Sequence, residues 1–368
     1  MVGAIAFAVL LLDNTSAVHA AEWGIVAYLS GEGGLEEDAA HYWGTLLAAA
    51  DAGLCEVAVQ IDGHGAAARW FAGAAAEPTA TPLGVTDMAD GETLEDFLQW
   101  AASRVSAPRL VLIVFGHGSG LATLSPDQSG IAADGGSGRT LGLVELAEAV
   151  ERALPAPLEL VSLEACYAGS LEAAWALQDS ARIMVGSPDL VYRPGLPWKI
   201  ALAQLGRVSD GAGLGRALCE THDGPLVCLD LSRMQAVAIS LGHLSSALLD
   251  DIELHSAGLR LTRSRVRSWG YRDELCDAAQ LAGRLVAEAA SERAAEAAAA
   301  LAVQLDGLAI SRSQCLVASS AGGMGLFFPS AWEPVPAAYA EQYSLARVSS
   351  WAELLDRHYN VSGRGLIR

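Results

Sequence analysis

The chain has 368 residues, of which 52% are hydrophobic and 18% are charged, so it can bury a large core and is not a disordered chain. Its formal net charge is −20. Because an acidic surface repels phosphates, this charge argues against nucleic acids and anionic membranes as partners. The six cysteines include no C-x-x-C pair and are too sparse for a disulfide scaffold, so the sequence indicates no structural metal.

The first twenty residues carry a mixed signal. An apolar run over 2–12 is followed by Val18 and Ala20, small residues at the −3 and −1 positions of a signal-peptidase cut before Ala21. No Lys or Arg precedes the run, and the run is too short to span a membrane. We expect 1–20 to be a signal peptide or an apolar N-terminal segment. This predicts a secreted or periplasmic protein, with a cytoplasmic one as the alternative, and no other segment predicts a transmembrane helix.

From Glu22 onward, short apolar runs alternate with helical ones. In chain order the pattern predicts strands over 23–29, 55–61, 110–115, 158–163 and 182–186, and helices over 36–52, 93–105, 141–154 and 170–178. Thr93 is the expected cap of the second of these helices and Thr140 that of the third. A loop is predicted over 116–139. Strands joined by long helical crossovers pair in parallel, so the alternation predicts an α/β fold with a mostly parallel sheet flanked by helices.

The C-terminal half is less regular. It predicts a strand over 226–231, a helix over 234–249, an Ala-rich helix over 281–305 and closing strands at 316–318 and 324–328. Because no repeat or linker interrupts the chain, we predict one domain over 21–368. Its catalytic core covers about 22–200, and helical and strand additions, including a helical insertion, cover 201–368.

Two residues with catalytic chemistry follow neighbouring predicted strands. His117 lies in GHGSG after the strand LVLIVF, and Cys166 lies in EACYAG after the strand LELVSL. Ligands of parallel sheets bind beyond the carboxyl ends of the strands. A histidine within reach of a thiol can act as its base, and the N–H groups of Gly118 and Cys166 could stabilise an oxyanion. The pair therefore favours nucleophilic catalysis.

Each residue alone has a plainer interpretation. A histidine in a Gly-rich loop is often only a turn residue, and a cysteine at a strand end is often part of the core. His64, in the turn DGHG after an earlier strand, is a competing candidate for the base. The joint placement of His117 and Cys166 makes them the stronger pair.

Six segments of the chain after Glu22 resemble one family of enzymes. These are WGIVAYLSGEGGLEEDA, FGHGSG, LEACYAGSLEAAWAL, MVGSPDLVYRPGLPW, DLSRM and GGMGLFFP, in this order. Together they resemble the clostripain-type cysteine peptidases of the caspase-like clan. The resemblance implies a caspase-like fold, with His117 as general base and Cys166 as nucleophile.

The resemblance also implies a substrate class. Clostripain-type peptidases cleave after a basic P1 residue, Arg or Lys, with a carboxylate two positions before the nucleophile. This chain has Glu164 there, where Asp is usual, so its pocket would be shallower. Asp189 is either a second acid of this S1 pocket or the cap of a turn.

Processing and cofactors follow from the same resemblance. Many relatives cut themselves between the histidine and cysteine motifs, where this chain has only Arg139 and Arg152 as basic residues. Arg139 lies in the flexible composition GGSGRT, so self-cleavage is predicted after Arg139, with an uncut loop as the alternative. Some relatives require calcium, which makes calcium the candidate cofactor, and Asp134 could bind it or line the cleft. No D-x-D-x-D-G calcium loop is present.

The sequence thus predicts a cysteine endopeptidase that attacks the carbonyl after Arg, or less readily Lys, through a thioester intermediate. Its expected partner is a peptide or protein with a basic P1 residue. Two alternatives stay open: a peptidase-like binding module without catalysis, and an intracellular regulatory protease with a single target.

Overall fold

The computed structural model describes residues 21–63, 65–73, 76–121, 129–330 and 337–364, so the expected signal peptide at 1–20 and His64 lie outside the described residues. The strands are β1 (Trp23–Ser30), β2 (Glu56–Gly63), β3 (Ala66–Gly73), β4 (Ala76–Gly84), β5 (Arg109–Phe115), β6 (Ile131–Ala133), β7 (Thr140–Leu141), β8 (Leu158–Glu164), β9 (Ala181–Gly186), β10 (Val227–Asp230), β11 (Ser268–Trp269), β12 (Leu275–Asp277), β13 (Ala309–Arg312) and β14 (Gly325–Phe327). The helices are α1 (Glu36–Asp51), α2 (Gly91–Ala102), α3 (Leu143–Ala153), α4 (Leu171–Ala176), α5 (Trp198–Leu202), α6 (Gly211–Thr221), α7 (Met234–Leu249), α8 (Ile252–Arg263), α9 (Ala278–Glu288), α10 (Glu292–Leu308), α11 (Gln314–Ala318), α12 (Ala337–Gln342), α13 (Ser344–Val348) and α14 (Trp351–Arg364).

The main sheet has nine strands in the order β13-β10-β9-β8-β5-β1-β2-β3-β4. The five central strands, β9 to β2 in this order, pair in parallel. Antiparallel strands extend the sheet on both sides. The expected mostly parallel α/β fold is therefore confirmed.

Helices cover both faces of this sheet. All eight residues of β1 are buried, which explains why its sequence is continuously apolar rather than alternating. Ile25, Ala27 and Leu29 belong to the core beneath α1, α5 and α6, whereas Val26 and Tyr28 belong to the larger core beneath α2, α3 and the C-terminal helices. None of the helices in the described part of the chain is long and apolar enough to cross a membrane.

The structure corrects two expected helix starts. Helix α2 begins after Asp90, whose carboxylate accepts from the N–H of Glu92, so Thr93 is not its cap. Thr140 is not a cap either, because it pairs with Ala133 in the hairpin of β6 and β7, and Gly142 precedes α3. The hairpin β3–β4, the helices α5, α6 and α8, and the strand β13 were not predicted.

The expected helical insertion lies between β10 and β13 and contains α7 to α10. The Ala-rich segment forms two helices rather than one, because the side chain of Ser291 accepts from the N–H of Ala294 and starts α10. Residues 316–318 lie in α11, so the prediction of a strand there is wrong. The closing strand near 324–328 is confirmed as β14.

Candidate active site

His117 and Cys166 follow two neighbouring strands at equivalent positions. Strands β5 and β8 pair in parallel with Phe115 opposite Glu164, and each candidate residue lies two positions further along its chain. The N–H of Gly116 donates to the carbonyl of Glu164 at 3.4 Å, which extends the pairing past the strand ends. Because neighbouring strands lie about 4.8 Å apart, the two residues leave the sheet side by side.

Gly118 brings the two loops into direct contact. A Cβ atom on Gly118 would lie 2.5 Å from the carbonyl oxygen of Cys166, 3.0 Å from its nitrogen and 2.7 Å from the Cβ of Ala165. Real Cβ atoms essentially never approach other atoms below 3.0 Å, so only glycine fits here. The backbone after His117 therefore packs on the backbone of Cys166 without an intervening side chain.

The imidazole of His117 is exposed and is held from one side. Its Nε2 lies 3.1 Å from the carbonyl oxygen of Gly33, in the turn after β1. Because a carbonyl oxygen only accepts, Nε2 is the donor, and Nδ1 of the neutral ring is left with a free lone pair. Gly33 has φ +74°, and a Cβ there would come within 3.1 Å of the ring. The turn after β1 thus fixes the tautomer in which Nδ1 can accept a proton.

Cys166 is half-buried, and its sulfur accepts a hydrogen bond from the N–H of Val191 at 3.4 Å. Burial raises the pKa of the Cys166 thiol. The hydrogen bond from the Val191 N–H lowers this pKa, and the nearby Asp189 carboxylate raises it further. The next residue, Tyr167, has φ +61° and donates its N–H to the carbonyl of Asp189 at 3.0 Å. The resting group is therefore a thiol at neutral pH, and it needs a base to become a nucleophile.

Glu164 lies beneath two aromatic residues and is only 1% exposed. Its carboxylate accepts hydrogen bonds from the hydroxyl of Tyr42, from Nε1 of Trp198 and from the hydroxyl of Ser162. Burial raises its pKa to about 7, although the three donors oppose this rise. A substrate can thus reach this carboxylate only if Tyr42 or Trp198 gives up its hydrogen bond.

The buried Glu164 makes stability depend on pH. Its pKa is higher in the folded chain than the value of 4.5 that it has in water, so its contribution is complete below pH 4.5 and is lost as the pH rises through 7. Glutamine does not titrate. We expect the free energy of unfolding of the wild type, minus that of Glu164→Gln, to fall by about 3 kcal/mol from about pH 4.5 to about pH 8. Urea unfolding across this range measures the difference, and a pH-independent difference would contradict the assignment.

A cavity of about 630 Å³ opens beside the strand ends. Asp189, Tyr42 and Trp198 line it, whereas His117 and Cys166 do not. The Asp189 side chain is 31% exposed, and its carboxylate lies 3.9 Å from the guanidinium of Arg267. Asp189 is therefore an accessible carboxylate that borders both the cavity and the thiol.

Arg139 occupies the turn between β6 and β7. Its carbonyl accepts from the N–H of Asp134 at 2.9 Å, and its guanidinium lies 3.7 Å from Asp87 and 3.9 Å from Glu145. The peptide bond after Arg139 leads directly into β7. This bond is thus part of a paired hairpin rather than of an extended loop.

Residues that the sequence did not single out complete the site. Trp198 belongs to one of the quoted family segments, and Tyr42 lies on the predicted first helix, but nothing in either pattern points to Glu164. Arg267 and Tyr271 come from the C-terminal half; the ring of Tyr271 lies 5.2 Å from that of Tyr167 and is 66% exposed. No local signal could have placed them at the cysteine, because long-range folding brings them there.

Comparison with known proteins agrees with this architecture. A sequence profile of the clostripain family matches residues 74–266, just over half of the chain. The X-ray structure of iotapain, a secreted C11 cysteine protease from Bacteroides thetaiotaomicron, is similar with a TM-score of 0.66 and 16% identity over 91% of this chain and 99% of that one. An X-ray structure of a secreted C11 cysteine protease from the same organism, in complex with an irreversible peptide inhibitor, is similar with a TM-score of 0.67 and 13% identity, over 90% of this chain and 99% of that one.

The inactive zymogen of a C11 protease from Parabacteroides distasonis is similar with a TM-score of 0.64 and 15% identity, over 93% of this chain and 98% of that one. A search of curated proteins finds no match. At these identities the structural likeness concerns the fold, whereas the sequence profile identifies the family. The chain belongs to the clostripain family of C11 cysteine peptidases.

Proposed function

We propose that this chain is a cysteine endopeptidase in which Cys166 is the nucleophile and His117 is the general base. The register of β5 against β8 carries the proposal, because it sets a histidine and a thiol at the same distance beyond two adjacent parallel strands. The raised pKa of Cys166 explains why a base is needed. The donor role of His117 Nε2 leaves Nδ1 to serve as that base.

The reaction follows from these two groups. Nδ1 of His117 takes the thiol proton as the Cys166 sulfur attacks the substrate carbonyl, forming a C–S bond and an oxyanion. The backbone N–H groups of Gly118 and Cys166 stabilise that oxyanion. As the C–N bond breaks, His117 returns the proton to the leaving amine. Water, deprotonated by His117, then hydrolyses the thioester and restores the thiol.

The proposed P1 residue is basic, with Arg preferred over Lys. Asp189 supports this preference, because its accessible carboxylate can pair a guanidinium at the cavity wall. Glu164, whose pKa is about 7, is only partly ionised at neutral pH, and it would contact the substrate only after Tyr42 or Trp198 moves. Arg267 already lies near Asp189, so a P1 cation competes with it.

Paired fluorogenic peptides with Arg or Asp at P1 test this preference. We expect Asp189→Asn to lower kcat/KM for the Arg peptide by about tenfold or more, because a charge-assisted hydrogen bond is lost. Arg267→Ala should raise it, because the competing cation is removed. Glu77→Gln, at an exposed carboxylate on the edge strand β4, is the matched control and should leave kcat/KM for the Arg peptide unchanged. Faster cleavage of the Asp peptide by the wild type would overturn the basic preference.

The proposed self-cleavage site is the bond after Arg139. The hairpin must open before this bond is free to enter an active site, so processing is expected to be slow compared with peptide turnover. Intact mass over time should show the cut in the wild type and in Arg152→Gln, but not in Arg139→Gln or Cys166→Ala. An uncut wild type after long incubation would contradict the proposal.

We further propose that 21–368 acts as one exported peptidase domain with Ala21 at its mature N-terminus. Contacts from the C-terminal half to the cysteine loop support the single domain: Gly325 donates its N–H to the carbonyl of Gly169 at 2.9 Å, and Phe327 donates to Glu172. Two of the similar structures are described as secreted proteases, which supports export.

A further inference from the structure

The loop between β11 and β12 places an aromatic side chain beside the cysteine loop. Tyr271, in this loop, is largely exposed, and its ring lies edge-on to the ring of Tyr167 with the two centroids 5.2 Å apart. Tyr167 follows Cys166 directly and is itself buried. Of the two rings, Tyr271 therefore presents the accessible surface, which is a large apolar face one residue away from the thiol along the chain of contacts.

A buried arginine holds this loop in place. The guanidinium of Arg263 donates to the hydroxyl of Ser268 at 2.7 Å and to the carbonyl of Asp273 at 2.6 Å. These two residues lie on either side of Tyr271 along the chain, so the guanidinium joins the two ends of the turn that carries the ring. Because the backbone is already held, a ligand that packs on Tyr271 need not pay for ordering the loop.

The histidine loop borders the same pair of rings. A Cβ atom on Gly120 would lie 2.8 Å from the Cβ of Tyr167, so the GHGSG loop packs directly on Tyr167. In the proposed mechanism His117 returns its proton to the leaving amine, and the residue that carries this amine, P1′, therefore passes beside the histidine loop. The P1 side chain is proposed to enter the cavity, whose lining includes neither His117 nor Tyr271. Tyr271 thus lies on the leaving-group side of the thiol.

We propose that Tyr271, with Tyr167 behind it, forms a subsite that binds an aromatic or large aliphatic P1′ side chain. This inference rests on the proposed function and adds a second determinant of substrate choice to the basic P1 residue. Aromatic rings bind such side chains by burying apolar surface and, for a second ring, by edge-to-face or offset stacking at centroid separations of about 4.5–7 Å. The exposed face of Tyr271 is open to a partner of this kind.

Internally quenched peptides that share Arg at P1 and carry either Phe or Ala at P1′ test the subsite. We expect the wild type to have a kcat/KM about three- to tenfold higher for Phe than for Ala. Tyr271→Ala should bring this ratio close to one, because the ring is lost, whereas Tyr271→Phe should keep it. Since the ratio is taken within one variant, differences in overall activity between variants do not affect it.

Val303→Ala is the matched control, because Val303 is an exposed apolar residue on α10, outside the candidate site, and its ratio should equal that of the wild type. Circular dichroism reports whether each variant is folded. If Tyr271→Ala does not fold, Tyr271→Gln removes the ring while keeping a long side chain, and it should likewise bring the ratio close to one.

A second series of peptides, with Phe or Ala at P2, identifies the side of the thiol. A Phe preference that depends on Tyr271 at P2 and not at P1′ would overturn the assignment to the leaving-group side. A wild-type P1′ ratio near one, or a ratio that Tyr271→Ala leaves unchanged, would overturn the subsite while the cleavage itself upholds the proposed function. If the wild type cleaves none of the peptides, the proposed function fails, and the subsite fails with it.

Discussion

Cys166→Ala should lower kcat/KM for peptide hydrolysis by at least about 10³-fold, because the proposed mechanism has no other nucleophile. The matched control is Cys315→Ala. Cys166 and Cys315 are the two partly exposed cysteines, and the other four are buried. Cys315 lies in α11 at the wall of the cavity and follows neither β5 nor β8, so its removal should not abolish turnover.

Fluorogenic peptide turnover and labelling by a thiol-directed acyloxymethyl ketone measure the two variants side by side. Labelling should persist in Cys315→Ala and vanish in Cys166→Ala, while circular dichroism reports that both are folded. Loss of activity in Cys315→Ala alone would contradict the assignment of the nucleophile. A folded wild type that neither cleaves nor labels would instead favour a peptidase-like binding module.

His117→Ala should lower kcat/KM at pH 7 by about 10²- to 10⁴-fold, because the thiol loses its proposed base. The remaining activity should then follow the small thiolate fraction of Cys166. Burial raises the pKa of this thiol above 9.0, so the fraction grows about tenfold for each pH unit up to at least about pH 9. The residual rate of His117→Ala should therefore climb with pH more steeply than the wild-type rate.

His243→Ala is the control for this experiment, since His243 is exposed on α7, outside the candidate site. Its pH profile should match that of the wild type. A flat profile in His117→Ala across the same range would show that His117 does not serve as the base for Cys166, even if activity falls.

The sequence predicted the central sheet because its parallel strands are buried on both faces and read as unbroken apolar runs, as in LVLIVF of β5. The hairpin β3–β4 lacks this signal. Strand β4 is mostly exposed and carries Pro78 and Pro82, which do not suggest a strand. The segment 316–318 is short and apolar, and periodicity cannot distinguish a strand from a buried helical turn over so few residues.

The candidate site was predictable only as far as local motifs reach. The predicted strand ends, together with the Gly residues beside His117, indicated that His117 and Cys166 lie at the same edge of the sheet. The burial of Glu164 was not visible, because it depends on Tyr42 and Trp198, which reach it from 122 and 34 positions away.

The two borders of the nine-stranded sheet bear on how the protein behaves at high concentration. An unpaired strand edge can recruit the edge of another molecule and start aggregation. On one border, Pro78 and Pro82 of β4 remove N–H groups that a new strand would need, and on the other, β13 has only four residues. The two borders of the sheet therefore offer a poor template for edge-to-edge strand pairing between molecules.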